Sequence, residues 1–244
     1  MTPAPGWLAF GLGSNVGDSE AILRWAIAEL GRLFGRLEVA SLYRSAPISQ
    51  VAQPDFLNTV ALVSCPRNSL PNSPGLHAPG GVAPPRIRAP SPSSSRLARA
   101  ADPSPTLATN FWDRTLGTPD AEDLGPEEIL ALAKALEMRA GRRRTVRDGP
   151  RRLDIDLLLC GEHCLSRPEL TLPHPRMRQR RFVLEPLAEL APALRLPPDG
   201  AAVADLLETL GSHQPLVKIG WSRPLDAGVV QATREEFGFL EDRR

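Results

Sequence analysis

A proline-rich stretch divides the hydrophobic pattern of this 244-residue chain into two parts. Eleven of the 26 prolines fall between Cys65 and Asp120, and no acidic residue occurs from Phe56 to Ala101. Clusters such as PNSPG and APSPSSSR interrupt every helical or strand period there, as is typical of a disordered insertion or linker. The other 188 residues are enough to bury a core. Any fold must therefore be built from the two flanking parts.

Composition places the chain among ordinary globular proteins, with 42% hydrophobic and 23% charged residues. A net charge of +1 gives no strong field toward nucleic acid or a membrane surface. Three cysteines without a CxxC pair indicate a reducing compartment. Cys160 and Cys164 near His163 could bind a metal, but apolar strand-end cysteines are the preferred interpretation because no further ligand cluster accompanies them. The N-terminal residues show no signal-peptide pattern and no long apolar run occurs, so we expect a cytoplasmic protein.

Hydrophobic periodicity predicts alternating strands and helices on both sides of the proline-rich stretch. Predicted strands cover 7–13, 37–43, 56–63 and 153–160, and predicted helices cover 19–34, 125–141, 180–190 and 202–210. Pro126 with two acids in the first turn marks the start of the second helix, and Gly141 marks its end. Residues after Trp221 form a polar tail.

Two aspartates on one predicted strand are the strongest chemical signal. Side chains alternate along a strand, so Asp154 and Asp156 project from one face while Leu153, Ile155 and Leu157 project from the other. Carboxylates placed this close repel each other unless cations lie between them, and Mg²⁺ prefers one or two carboxylates plus phosphate oxygens and water. The alternative is a solvated strand face.

Six arginines precede this strand, namely Arg142, Arg143, Arg144, Arg147, Arg151 and Arg152. Guanidinium groups bind phosphates through two parallel hydrogen bonds and stabilise charge on a transferred group. A solvated face and a nucleic-acid patch are the alternatives. The near-zero net charge and the lack of interleaved aromatic residues argue against nucleic acid.

Three further features have both a structural and a functional interpretation. His174, fixed between two prolines, could bind a phosphate or be structural. The segment GLGSNVGD from Gly11 to Asp18 lacks a phosphate-loop motif and predicts a tight turn with a helix N-cap. Asn58 offers a donor and an acceptor to a pterin or purine edge, and Phe56 and Phe182 could stack on a flat heterocycle, although core packing is the alternative for both rings.

Four blocks occur in the order seen in one family: GLGSNVGD, SLYRSAPISQVAQPDFLN, RDGPRRLDIDLLL and LPHPRMRQRRFVLEPLAELAP. The chain resembles the 6-hydroxymethyl-7,8-dihydropterin pyrophosphokinases of folate biosynthesis over roughly residues 7–63 and 125–210. The resemblance implies an α+β fold, a ferredoxin-like antiparallel sheet flanked by helices. We expect one domain over residues 1–222, because the blocks of this family lie on both sides of the proline-rich stretch. The sequence pattern predicts a disordered insertion at about 65–120 within this domain and a loose tail at 223–244.

The activity implied by the resemblance is transfer of diphosphate from ATP to the pterin hydroxymethyl group, with AMP as the leaving group and two Mg²⁺ ions as cofactors. The implied partners are these small molecules, without nucleic acid or membrane, and we expect a monomer. Transfer of a single phosphoryl group, with ADP as product, is a second enzyme hypothesis. A pterin- or nucleotide-binding relative without activity, disabled by the insertion or by Asp148, is a third.

Residue roles follow from the same resemblance. The implied metal ligands are Asp154 and Asp156, which together with Arg144 and Arg151 form the implied catalytic set. The implied pterin-binding residues are Ser45, Ala46, Ile48, Phe56, Asn58 and Phe182. The implied ATP-binding residues are Lys134, Glu137, Arg144, Arg151, Leu157, Thr171, His174 and Arg180.

The chain departs from the family pattern in two main places. Asp148 stands where an aromatic residue often packs over the pterin, so we expect a looser lid or weaker binding. Nearly 60 residues replace the few that usually join the third strand to the next helix. Loop-closure entropy rises slowly with length, so the fold can tolerate such an insertion.

Overall fold

The computed structural model describes residues 6–49, 51–65, 124–142, 148–211 and 213–225, all of which belong to one compact unit. Except for Cys65, the predicted insertion at 65–120 lies outside the described residues. The predicted tail is described only from 223 to 225.

An antiparallel sheet forms the centre of the described structure. Its strands are β1 (Gly6–Ser14), β2 (Glu38–Val39), β3 (Tyr43–Ser45), β4 (Phe56–Cys65), β5 (Asp154–Cys160) and β10 (Leu216–Lys218). The order across the sheet is β10-β3-β4-β1-β5, and β2 also pairs with β4. Two small hairpins lie outside it, formed by β6 (Leu165–Ser166) with β7 (Thr171–Leu172) and β8 (Arg195–Leu196) with β9 (Ala201–Ala202). Strands from both sides of the proline-rich stretch thus share one sheet.

The described residues form four α-helices: α1 (Ser19–Phe34), α2 (Pro126–Arg139), α3 (Arg181–Leu190) and α4 (Val203–Leu210). A short 3₁₀ helix, Met177–Gln179, precedes α3. Asp18 caps α1 by accepting a hydrogen bond from Ala21 N at 3.1 Å, as the GLGSNVGD segment predicts. Within this part of the chain, no helix combines the length and the apolar character needed to cross a membrane.

The two faces of the sheet pack against different helices. Ala9, Val60 and Leu158 belong to one buried cluster with residues of α3, including Leu184. On the opposite face, the rings of Phe10 in β1 and Phe34 in α1 lie 5.3 Å apart. Because neighbouring residues of a strand point to opposite faces, the apolar core is split into two layers by the sheet.

The observed elements confirm a mixed α and β fold with an antiparallel sheet and flanking helices. One predicted strand is wrong, because 37–43 divides into β2 and β3. Leu42 and Tyr43 are both buried, which breaks the alternation that a single strand requires. Leu42 O instead accepts hydrogen bonds from the backbone of Ile219 and Gly220 at 2.9 and 3.3 Å.

Glu189, at the end of α3, joins this helix to the edge of the sheet. Its carboxylate accepts hydrogen bonds from Tyr43 Oη and Ser41 Oγ, both at 2.7 Å, and lies 3.2 Å from Lys218 Nζ. Burial alone raises the pKa of Glu189, but these donors outweigh burial and hold the pKa below its ordinary value. Burial, together with Glu189, raises the pKa of Tyr43.

The substitution Glu189→Gln should lower the free energy of unfolding by about 1–2 kcal/mol at pH 7, because charge-assisted hydrogen bonds are lost. The pKa of Glu189 is lower in the folded chain, so the ionised carboxylate stabilises the fold above its unfolded pKa of 4.5. This contribution disappears as pH falls through the lower folded value, and the difference between the two proteins should close there. Urea denaturation at several pH values measures it.

Glu185→Gln provides a matched control one turn earlier on α3. The side chain of Glu185 is 30% exposed, and its Oε2 lies 2.6 Å from Nε of Arg181, four residues earlier on the helix. Loss of this pair should lower the free energy of unfolding by less than about 0.5 kcal/mol. Equal losses for the two variants would contradict the role assigned to Glu189.

Candidate functional site

A cavity of about 540 Å³ lies on the sheet face that also contacts α3. Asn58 of β4, Gly13 of β1 and Asp154 of β5 are directly opposite one another across the three strands and all line it. Directly opposed residues of antiparallel strands share a face. The sheet therefore presents an amide at one end of this row and a carboxylate at the other.

Two glycines in the C-terminal half of β1 leave room for the cavity. A Cβ atom at Gly13 would lie 3.3 Å from Asn58 Oδ1, and one at Gly11 would lie 3.4 Å from Leu158 Cδ1. Larger side chains at both positions would project into the space between Asn58 and the aspartates. The GLG segment thus forms a floor that a ligand can approach closely.

The two aspartates of β5 are each faced by cationic side chains. Arg142 Nη1 lies 2.8 Å from Asp154 Oδ1, and Arg151 Nη1 lies 2.8 Å from Asp154 Oδ2. Asp156 Oδ2 lies 3.5 Å from Arg180 Nη1 and 3.8 Å from His174 Nε2. The alternation predicted for this strand is confirmed, because Ile155 between the two aspartates is fully buried.

Glu137 of α2 links this group to the backbone of β5 and to two basic side chains. It is 2% exposed, and its Oε1 accepts from Ile155 N at 2.7 Å and from Lys134 Nζ at 2.8 Å. Its Oε2 accepts from Arg142. Burial opposes the charge on Arg142, but Glu137 and Asp154 outweigh it, so the pKa of Arg142 rises above its ordinary value. Arg142 therefore stays charged while it bridges a buried and a half-buried carboxylate.

Two arginines connect the carboxylates to two aromatic rings. Arg151, which pairs with Asp154, lies over the ring of Phe56 at 5.8 Å from its centroid. Arg180, near Asp156, lies over the ring of Phe182 at 5.4 Å. Cations within about 6 Å of an aromatic ring are attracted to its face. The charged end and the aromatic end of the cavity are therefore in direct contact.

His174 and Arg180 lie in a crowded cationic environment. Burial lowers the pKa of His174, and Arg180 and Arg176 lower it further, while Asp156 opposes them. His174 Nδ1 accepts a hydrogen bond from Arg176 N at 3.2 Å, which directs Nε2 toward Asp156. Burial and Arg176 likewise lower the pKa of Arg180. An anion placed here would relieve this repulsion.

Asn58 lies beside Ser45 at the end of the cavity away from the aspartates. It is 5% exposed and donates to Ser45 Oγ at 3.0 Å. Ala46 and Ile48 follow on the cavity rim, where Ile48 is 72% exposed. A buried amide beside two rings can recognise the edge of a flat heterocycle through paired donors and acceptors.

The residues present fit Mg²⁺ that arrives with a phosphate ligand. The described part of the chain contains no cluster of three or more potential protein ligands, so the aspartate pair must share a cation with other donors. Mg²⁺ commonly keeps water and substrate phosphates beside one or two carboxylates. Among the described residues, five basic and three acidic side chains line the cavity, which favours an anion: Lys134, Arg142, Arg151, Arg176, Arg180, Asp148, Asp154 and Asp156.

Comparison with known families agrees with this arrangement. A family model described as 7,8-dihydro-6-hydroxymethylpterin-pyrophosphokinase (HPPK) matches residues 9–72 and 94–192, more than half of the chain. The chain belongs to the HPPK family. The matched residues include both strands that carry Asn58 and the aspartate pair.

Individual relatives are also named as pyrophosphokinases. Proteins named 2-amino-4-hydroxy-6-hydroxymethyldihydropteridine pyrophosphokinase are 51% identical over 85 residues in Pseudomonas aeruginosa and 45% identical over 85 residues in Synechocystis sp.. These matches cover 35% of this chain and 52% and 44% of the two relatives, so the chain spans about half of their length. The Bacillus subtilis protein of the same name is 29% identical over 181 residues, which cover 73% of this chain and 74% of the relative.

Most site residues expected from the HPPK resemblance meet at the cavity. The lining includes Ser45, Ala46, Ile48, Phe56, Asn58, Phe182, Lys134, Arg151, Asp154, Asp156 and Arg180. Glu137 and His174 do not line the cavity themselves but contact the lining residues Lys134 and Asp156. Of the described residues expected at the site, Leu157 is buried on the face away from the aspartates and Thr171 lies in β7, and neither lines the cavity. Arg144 lies outside the described residues.

Asp148 occupies a special backbone conformation in this HPPK chain. Its φ of +57° lies in the left-handed region, which aspartate tolerates better than bulky residues do. Its carbonyl oxygen accepts a hydrogen bond from Gln53 Nε2 at 2.9 Å. Sequence reasoning identified Asp148 as a departure from the family, and the structure adds the backbone reason for a small polar residue there.

Sequence reasoning missed a pair of amides that joins three segments of the site. Asn15 Nδ2 donates to Gln53 Oε1 at 2.9 Å and to Pro54 O at 3.0 Å, while its Oδ1 accepts from Arg151 N at 2.8 Å. Gln53 Nε2 donates in turn to Ser49 Oγ. Both amides lie inside blocks that carry the HPPK resemblance, but nothing in the sequence shows that they touch.

Asn15→Ala should lower the free energy of unfolding by about 2–3 kcal/mol, because three polar partners lose a hydrogen bond at a site that is 5% exposed. Thermal or urea unfolding measures the loss. Ser49→Ala, which removes one bond to Gln53 at a half-buried position, should cost less than about 1 kcal/mol. A loss in Asn15→Ala no larger than in this control would contradict the bridging role.

Proposed function

We propose that this chain transfers diphosphate from ATP to the hydroxymethyl oxygen of 6-hydroxymethyl-7,8-dihydropterin and releases AMP, a step of tetrahydrofolate biosynthesis. One observation carries the proposal. The row across three strands sets the buried amide of Asn58 and the aspartate pair at opposite ends of one glycine floor. A heterocycle and a polyphosphate can therefore lie side by side on the same surface.

The aromatic end supports pterin binding. Phe56 and Phe182 offer ring faces, and the Asn58 amide offers both hydrogen-bonding functions to the pterin edge. Ser45 accepts a hydrogen bond from Asn58 Nδ2, which fixes the orientation of that amide. An oriented amide binds a complementary edge without first losing side-chain freedom.

The charged end supports binding of ATP phosphates with Mg²⁺. Asp154 and Asp156 would hold the Mg²⁺ ions, and the family resemblance implies two of them. Mg²⁺ bound there would neutralise part of the phosphate charge. Carboxylates engaged in this way no longer need their arginine partners. Arg142, Arg151 and Arg180 then become available to bind phosphate oxygens.

The reaction requires positioning and charge stabilisation more than covalent chemistry. The pterin hydroxymethyl oxygen forms a bond to the β-phosphorus of ATP and loses its proton to solvent. The bond between the β-phosphorus and the oxygen that bridges it to the α-phosphorus breaks, and AMP leaves with that bridging oxygen. Arg151 and Arg180 each contact an aromatic ring and lie beside the carboxylates. This position between the aromatic end and the charged end of the cavity supports a role for both arginines in stabilising charge during transfer.

We further propose the ferredoxin-like arrangement for the core of the fold. The order β5-β1-β4-β3, with α1 after β1 and α2 before β5, supports it. Sheet pairing between strands on both sides of the proline-rich stretch supports a single interrupted domain over 1–222. A monomer located in the cytoplasm remains our expectation from the sequence.

Product analysis tests the proposal directly. Incubation of the full chain with ATP, Mg²⁺ and the pterin should yield AMP and pterin diphosphate in equal amounts, and chelation of Mg²⁺ should stop the reaction until the ion is restored. Nucleotides are resolved by ion-exchange chromatography. Release of ADP would instead indicate single phosphoryl transfer, and binding without any nucleotide product would indicate an inactive relative.

Asp154→Asn should reduce kcat by about 10³-fold or more, because an amide binds Mg²⁺ far more weakly than a carboxylate does. The chain should still fold with a modest fall in the thermal midpoint, since the asparagine Oδ1 can accept from one of the two arginines, although its Nδ2 cannot accept from the other. Asp205→Asn, at an exposed position on α4, provides the matched control. Activity of Asp154→Asn close to that of the control would remove Asp154 from the site.

A further inference from the structure

A C-terminal segment, residues 213–218, lies along α3 and contacts it at both ends. Gln214 bonds to the first residue of the helix, Arg181, and Lys218 pairs with Glu189 near its end. The four residue steps from 214 to 218 span about 13 Å in extended chain, and the eight residue steps from 181 to 189 rise about 12 Å in a helix. The match in length explains how one short segment reaches both ends of the helix.

The side-chain amide of Gln214 supplies two hydrogen bonds at the start of α3. Gln214 Oε1 accepts from Arg181 N at 2.9 Å, and Gln214 Nε2 donates to Gln179 O at 2.8 Å. The first N–H groups of a helix have no partner within it. Within the described residues, the N-cap residue Arg180 makes no capping bond with its own side chain, so Gln214 provides this bond from another part of the chain.

These two bonds bracket Arg180, the residue between the two bonded backbone groups. Arg180 contacts Asp156 and the ring of Phe182. Phe182 follows directly on α3, and both Phe182 and Gln214 line the main cavity. The backbone that carries these two site residues is therefore fixed by a side chain more than thirty positions later in the sequence.

A second, smaller cavity of about 150 Å³ shows how close this contact lies to the site. It adjoins the main cavity and shares five lining residues with it: Ser45, Ala46, Ile48, Phe182 and Gln214. Phe182 therefore has free space on both sides. Without the two hydrogen bonds of Gln214, the start of α3 could shift and carry Phe182 toward the smaller cavity.

We propose that Gln214 is a positioning residue that sets the orientation of Arg180 and Phe182, and through them the affinity for the pterin. The proposal rests on the pyrophosphokinase function proposed above. Gln214 itself acts through the backbone of Gln179 and Arg181. Its two hydrogen bonds, rather than the volume that it fills, carry the effect.

Two substitutions separate hydrogen bonding from packing. Gln214→Ala removes both bonds and the volume, whereas Gln214→Met keeps a side chain of similar length without a strong donor or acceptor. Steady-state kinetics with varied pterin at saturating ATP and Mg²⁺ should give a KM for the pterin about tenfold above wild type in both variants. The KM for ATP should rise by less than the KM for the pterin, because Arg180 is one of three arginines at the phosphate end, and Arg142 and Arg151 keep their own contacts with Asp154.

Lys218→Ala is the matched control on the same segment. It removes the contact at the far end of α3, where Lys218 is 55% exposed and lies outside the cavity lining, so both KM values should stay within twofold of wild type. Circular dichroism and the thermal midpoint of each variant verify folding. If Gln214→Ala does not fold, Gln214→Met alone decides the question.

The outcomes are distinguishable from failure of the proposed function. A wild-type protein that forms no AMP from ATP and pterin would overturn the function, and the inference with it. With an active wild-type protein, a pterin KM within twofold of wild type in Gln214→Met would overturn the positioning role. An equal rise in the KM for ATP, or an equal rise in Lys218→Ala, would indicate general loosening of α3 and would also overturn it.

Discussion

Charge balance around the two aspartates of β5 is the constraint on which the rest of the site depends. Alternation along the strand forces both carboxylates onto one face, where they repel each other without cations. Arginines from the α2 side, from the segment before β5 and from the start of α3 supply these cations in the described structure. Each of these three segments must lie where its arginine reaches the aspartates. The packing of the helices and the hydrogen bonds of the loops hold the segments there.

Local sequence signals predicted the elements that depend on local physics. The helix α1 begins and ends where its capping residue and apolar spacing indicate, and β5 shows the predicted alternation around Ile155. The division into β2 and β3 was missed, because Leu42 and Tyr43 are buried by tertiary contacts that local alternation does not encode. The strand β10 has three residues, too few for any period to reveal it.

The sequence predicted which residues belong to the candidate site better than it predicted which of them contact one another. The family blocks identified the aspartates, Asn58 and both rings, but could not say which arginine of the run faces which carboxylate. Asn15 and Arg151 are 136 positions apart and meet only through the sheet. Such contacts depend on the register between β1 and its neighbours, which no short segment determines.

The position of β1 between β4 and β5 has a consequence for how the chain must be joined. Residues 6–65 contribute the glycine floor and the Asn58 amide, whereas residues 124–225 contribute the carboxylates and their arginines. If the polypeptide were cut between these ranges, the first fragment would hold the glycine floor and Asn58 without the charged residues. The second fragment would hold the aspartates and arginines without the floor. The two could rebuild the site only by pairing β5 against β1, so recovery of the proposed activity would report the reassembly of the sheet itself.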